Sequence, residues 1–148
     1  MSAKRITLDT NLLVYAVDAA DRDRHRRAQT LINALLRYDC VLTLQALSEF
    51  YFATTRRGKL SADAAQHALE GWQKMFPVVA AKPSTLNSAI NAVAAHQLAF
   101  WDAMLWATAK DAGVTLLLSE DFQDGQIVEG VRIANPLLSK DVPALLST

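Results

Sequence analysis

Residues 5–16 read RITLDTNLLVYA. Arg5 to Leu8 has the length and apolar content of a short strand. Asp9 follows where the chain turns, and Leu12, Leu13, Tyr15 and Ala16 then recur at helical spacing. The order is strand, acid, helix, and the rest of the chain repeats the alternation. Residues 26–36 place Ala28, Leu31, Ile32, Leu35 and Leu36 on one helical face after a polar loop at 18–23. Residues 40–44 suit a buried second strand. A helix over 45–57 carries Leu47, Phe50, Tyr51 and Thr54 on a common face and ends in Arg56, Arg57 and Gly58.

Ser61 opens a further helix to about residue 75, and residues 77–80 fit a brief edge strand. Pro83 starts a helix toward His96. Asp102 fits the N-cap of a helix over 103–112 that Gly113 ends, and residues 114–118 form the clearest strand of the chain. Residues 132–134 make a weak last strand. Strands alternating with helices through short connections predict an α/β fold with a central parallel sheet flanked by helices, its crossovers right-handed. No repeat, low-complexity stretch or linker interrupts it, so residues 1–148 are read as a single domain.

Composition narrows the function. At 148 residues and 51% hydrophobic the chain can bury a real core, and its formal net charge of zero means that any anionic partner must be held by a local patch. Cys40 is the single cysteine, so no intrachain disulfide forms, and its apolar neighbours mark it as a small core residue. No signal-peptide pattern follows the basic N-terminal residues, and no stretch approaches the roughly 20 apolar residues that span a bilayer. A cytoplasmic protein without a membrane partner is expected.

Four carboxylates stand at the edges of apolar segments: Asp9 after RITL, Glu49 within LQALSEFYF, Asp102 before AMLWATA and Asp121 after TLLLS. Each has an ordinary structural explanation. Asp9 and Asp102 suit helix N-caps, Glu49 can reach water from a helix edge, and Asp121 suits a turn. Together they carry more weight. In an open α/β sheet, ligands bind beyond the carboxyl ends of the strands, where Asp9 and Asp121 stand. Crowded carboxylates oppose one another's ionisation unless a cation neutralises them, and Mg²⁺ or Mn²⁺ prefers such oxygen ligands. This donor set points to metal-dependent phosphodiester chemistry.

The segments LDTNLLVYA, LSEF, FWDAMLWATAKDAGVTLLLSED and FQDG resemble those of the PIN-domain nucleases, most of all the VapC-type toxins of toxin–antitoxin pairs, over nearly the whole chain. The resemblance implies a PIN-like three-layer fold, Mg²⁺- or Mn²⁺-dependent cleavage of RNA, frequent homodimerisation and a VapB-type antitoxin that blocks the active site. By motif, Asp9, Glu49, Asp102 and Asp121 match the family's acidic metal-binding and catalytic positions, with Asp9, Asp102 and Asp121 as the metal ligands. Asn11 is expected to orient the Asp9 carboxylate, and the Ser119 hydroxyl to act likewise near Asp121. Asp124 matches a further acid found in many members, with a solvated loop acid as its alternative.

Arg56, Arg57 and Lys59, at the end of the Glu49 helix, are the better placed of two basic stretches for holding RNA phosphates; the other is Arg22 to Arg27. The expected substrate is a structured RNA cut in an exposed loop, with transfer RNA as one candidate. Leu47, Phe50, Tyr51 and Phe52 exceed what one inward helix face needs, which suggests contact with a second subunit or an inhibitory helix. Trp72, Trp101 and Trp106 read as core or interface residues, Trp101 being notable beside Asp102. His25, His67 and His96 lack the spacing of ligands.

The acid spacing does not suit dehalogenase-type or receiver-type phosphotransfer. A calcium loop counted from Asp121 would place Arg132 where its glutamate belongs. The remaining alternative is a catalytically inactive PIN-like module that binds RNA or protein.

Overall fold

The computed structural model describes residues 4–147. β1 (Arg5–Leu8) leads through Asp9 into α1 (Thr10–Val17), followed by α2 (Arg22–Leu35), β2 (Asp39–Cys40) and β3 (Leu42–Thr43). α3 (Leu44–Arg56), α4 (Ala62–Met75), β4 (Val78–Val79), α5 (Pro83–His96) and α6 (Phe100–Asp111) come next. The chain ends in β5 (Leu116–Leu118), β6 (Ile127–Val128), β7 (Val131–Ala134) and α7 (Val142–Ser147). The main sheet has the order β2-β1-β5-β7-β6. All its pairs are parallel except the edge pair of β6 with β7.

Strand alternation builds the layers. Ile6, Leu8, Leu116 and Leu118 pack on one face among residues of α1 to α4, while Leu117 and Ile133 pack on the other with Ala103 and Trp106 of α6. Both faces are covered, so the strands read as continuous apolar runs. The register Ile6↔Leu116 and Leu8↔Leu118 brings the carboxyl ends of β1 and β5 level. Because β2 lies beyond β1 and β5 on its other side, the strand order reverses between β1 and β5, where α/β sheets bind ligands. Cys40 is buried, and that burial pushes its thiol up to about 12, as an inert core residue requires.

Several boundaries differ from the sequence-based expectation. α2 begins at Arg22 instead of residue 26 because Asp21 caps it, its side chain accepting from Arg24 N at 3.1 Å. The expected strand at 40–44 divides: β2 pairs with β1, whereas β3 pairs with β4 as a separate two-stranded sheet. Asp102 is not an N-cap. α6 starts three residues earlier with Ala99 at that position, which leaves the Asp102 carboxylate in the first turn without a capping bond.

β6 and α7 were not anticipated. β6 joins β7 through Glu129 and Gly130, both at positive φ (48° and 87°), a turn that matches the strand twist but more usually carries Asn or Asp at its first position. Among the described residues no helix is long and apolar enough to cross a membrane.

Candidate active site

Asp9 continues directly from β1: its N–H donates to Leu118 O at 2.9 Å, and its side chain caps α1, accepting from Thr10 N at 2.6 Å. Burial of a residue so close to the sheet is unavoidable, and Asp9 is only 6% exposed. Its second oxygen accepts from the fully buried Ser119 Oγ at 2.8 Å, which in turn accepts from Asp121 N at 3.1 Å. Ser119 N is anchored on Ala134 O at 3.0 Å, so the wall formed by the ends of β1, β5 and β7 is held by backbone as well as side chains.

Across from it, Glu49 is held through both oxygens. Gln45, one turn earlier on α3, donates to Oε1 at 2.9 Å, and the Thr10 hydroxyl donates to Oε2 at 3.1 Å. The Gln45 amide also donates to Trp101 O at 3.0 Å, tying α3 to the first turn of α6, which carries Asp102. Asp9, Glu49, Asp102 and Asp121 all line one cavity of about 260 Å³, together with Asn11, Gln45, Phe52 and Trp101, and no Lys, Arg or His is among its lining residues.

The electrostatics follow from that composition. Desolvation pushes Asp9 up to about 7 despite the opposing bonds from Ser119 and Thr10, and the charge of Asp121 and a proton shared with it add to the rise. Asp102 is raised above the ordinary carboxylate range by partial burial, then by Asp121 and Glu49. A divalent cation would relieve this repulsion, and the hard oxygen donors fit Mg²⁺ or Mn²⁺.

The acids are not a finished cage: among the described residues no three His, Cys, Asp or Glu side chains are grouped closely enough to enclose an ion. Mg²⁺ commonly uses one or two protein carboxylates and completes its shell with water and substrate, so the fit does not require such a cage.

The model of the PIN domain family matches residues 6–123. The chain is a PIN domain. Solved structures share its fold at low identity. VapC20 of Mycobacterium tuberculosis, a sarcin-ricin loop cleaving toxin, is 19% identical with a TM-score of 0.63, over 78% of this chain and 89% of that one. A toxin–antitoxin complex from Klebsiella pneumoniae is 17% identical with a TM-score of 0.66, over 88% and 97%. DNA-bound VapBC from Salmonella typhimurium is 14% identical with a TM-score of 0.66, over 90% and 98%. No curated protein is significantly similar in sequence.

The remaining predicted residues of this PIN domain take different places. Asn11 lines the cavity but its Nδ2 donates to Glu120 Oε1 at 3.3 Å and to Asp121 at 3.4 Å, so it serves the β5 acids instead of Asp9. Ser119 reaches Asp9 as well as Asp121. Asp124 is outside the cavity lining; its Oδ1 accepts from Asn135 N at 2.8 Å and ties the loop to the end of β7. Arg56 stacks over the Phe52 ring, 5.1 Å from its centroid, and Lys59 pairs with Asp18 at 3.0 Å.

Gln45, Tyr15 and Glu120 are not singled out as site residues by the sequence. Gln45 stands four residues before Glu49, the one available signal. Tyr15 donates to Glu120 Oε1 at 2.5 Å, a contact across 105 residues with no local signature.

Proposed function

We propose that this PIN domain is a divalent-cation-dependent endoribonuclease and the toxin of a VapBC-type pair. The reading is carried by the convergence of Asp9, Glu49, Asp102 and Asp121 on one cavity without a basic side chain in its lining. Likeness in fold to a sarcin-ricin loop cleaving toxin and to toxin–antitoxin complexes supports the biological assignment.

Asp9, Asp102 and Asp121 would hold Mg²⁺ or Mn²⁺, one or two of them directly and the rest through its waters. The bound ion supplies polarisation of a phosphoryl oxygen and a water of lowered pKa. Ser119 and Thr10 fix the Asp9 carboxylate, and Asn11 fixes Asp121. Glu49, held by Gln45 and Thr10, faces the same space and is placed to accept a proton from the attacking water. Since Asp9 keeps its proton up to about 7, loading the site displaces that proton, and cation affinity rises between pH 6 and 8.

Arg56 lies about two helical turns beyond Glu49, roughly 10 Å along α3, with Arg57 and Lys59 just past the helix end, and the three are proposed to hold a neighbouring phosphate. The same reading includes a homodimer, an antitoxin that covers the cavity, and a cytoplasmic setting in which both meet RNA.

The test is cleavage of end-labelled total and transfer RNA by purified protein in Mn²⁺ or Mg²⁺. Defined fragments that disappear in chelator and in Asp9→Asn are expected. Intact RNA from a preparation free of bound inhibitor, with RNA affinity persisting in chelator, would assign the fold to binding alone.

A further inference from the structure

The acid cavity opens into a larger groove of about 700 Å³ whose lining is mostly apolar. The two spaces share Gln45, Glu49, Phe52 and Trp101. Of the three tryptophans, Trp72 and Trp106 are buried, whereas Trp101 is 63% exposed, and Phe52 on α3 is 60% exposed. Neither ring therefore contributes much to the core. Phe100 packs edge-on against Trp101, with ring centroids 4.9 Å apart, which orients the indole. Arg56 covers the Phe52 ring and holds its guanidinium beside the groove.

A chain with no net charge that presents four carboxylates cannot draw in a polyanion through its general field. RNA in this cavity needs attraction of another kind, and stacking on exposed aromatic rings is insensitive to the surrounding acids. We infer that Trp101 and Phe52 form a base-stacking platform for single-stranded RNA, taking the unpaired bases that flank the phosphate held at the acids, with Arg56 on an adjacent phosphate. The inference deepens the nuclease reading and rests on it for the placement of the phosphate. The ligand class is an unstacked, single-stranded ribonucleotide segment.

Intrinsic fluorescence tests it, because Trp101 is the exposed tryptophan. Asp9→Asn protein in chelator is titrated with an oligouridylate of about eight residues and with an abasic ribose-phosphate chain of equal length. Quenching by the oligouridylate, with binding about tenfold tighter than the abasic chain, is expected. Read by the anisotropy of an end-labelled oligouridylate, since the substitution removes the reporter, Trp101→Ala should bring the oligouridylate down to the abasic level, while Trp101→Phe should keep most of the affinity.

Equal affinity for the two chains, absence of quenching, or unchanged affinity in Trp101→Ala would each overturn the platform. So would a wild-type dimer that Trp101→Ala dissociates without loss of oligouridylate affinity, since the face would then belong to a second copy. Quenching without cleavage by the wild type in Mn²⁺ would keep the platform and remove the nuclease. Cleavage unaffected by Trp101→Ala would do the reverse.

Discussion

Asp9 and Ser119, on the wall built from strand ends, are buried and locked by short hydrogen bonds to each other and to backbone. Glu49 and Gln45 face them from a more open stretch of α3, Glu49 steadied by the Gln45 and Thr10 side chains and Gln45 by the Trp101 carbonyl. One wall is fixed by the sheet and carries the electrostatic cost of burial. The other is the adjustable one, its residues more exposed. A site that must gather around a cation and a phosphate gains from having one rigid side and one that can close.

The largest effects belong to the rigid wall. Asp9→Asn is expected to abolish cleavage while stabilising the metal-free protein. Asp9 titrates near 7 folded against an ordinary 3.8, so the folded form holds more protons between those values, and stability falls as pH climbs through that window. The loss is complete above the folded value. Urea melts in chelator should show the Asn variant ahead by on the order of 4 kcal/mol at pH 8, with the gap closing toward pH 4. Parallel profiles for the two proteins would mean that Asp9 bears no such cost.

Ser119→Ala comes next. It removes a buried donor to Asp9 and a part-buried acceptor for Asp121 N, at about 1–3 kcal/mol. Because the Ser119 bond opposes the rise of Asp9, its loss should also move the cleavage profile toward higher pH. A variant with native stability and an unmoved profile would place the rigidity of this wall elsewhere.

Much of this wall was legible because the chain order exposes it. Asp9 follows its apolar strand directly and Asp121 comes three residues after the end of β5, and Leu116 to Leu118 could hardly be anything but buried β-structure. The adjustable wall was legible only in part. Glu49 stood out against its apolar neighbours, but its tether to α6 through Gln45 depends on a contact with Trp101, 56 residues on from Gln45. Asp102 was identified as an acid of the site and misplaced as a cap, since helix-capping preference and a cavity-facing first turn choose the same residue type. Trp101 could not be separated from Trp106 by spacing; only the packed helix reveals which ring faces out. The β6–β7 hairpin was hidden by a glutamate in a position of positive φ.

Gln45→Ala probes the adjustable wall. Stability should change by no more than about 0.5 kcal/mol, because Gln45 is only half-buried, yet cleavage should drop about tenfold as Glu49 and α6 lose their common tether. Thermal melting beside initial cleavage rates separates the two readouts. A stability loss as large as that of Ser119→Ala would erase the contrast between the walls.

Tyr15→Phe should produce the smallest change. Tyr15 lies behind the rigid wall, and burial, then its bond to Glu120, push its hydroxyl up to about 12, so it stays a donor at every working pH. Removing that donor leaves Glu120 with the Asn11 amide, which Glu120 shares with Asp121. Half-buried Glu120 can turn toward water, so a stability loss of about 1 kcal/mol and a cleavage loss under about threefold are expected. A larger cleavage loss, undone by Glu120→Gln in the same background, would show that Asp121 is positioned through Asn11 by the Tyr15–Glu120 pair, extending the rigid wall one residue deeper than the strand ends.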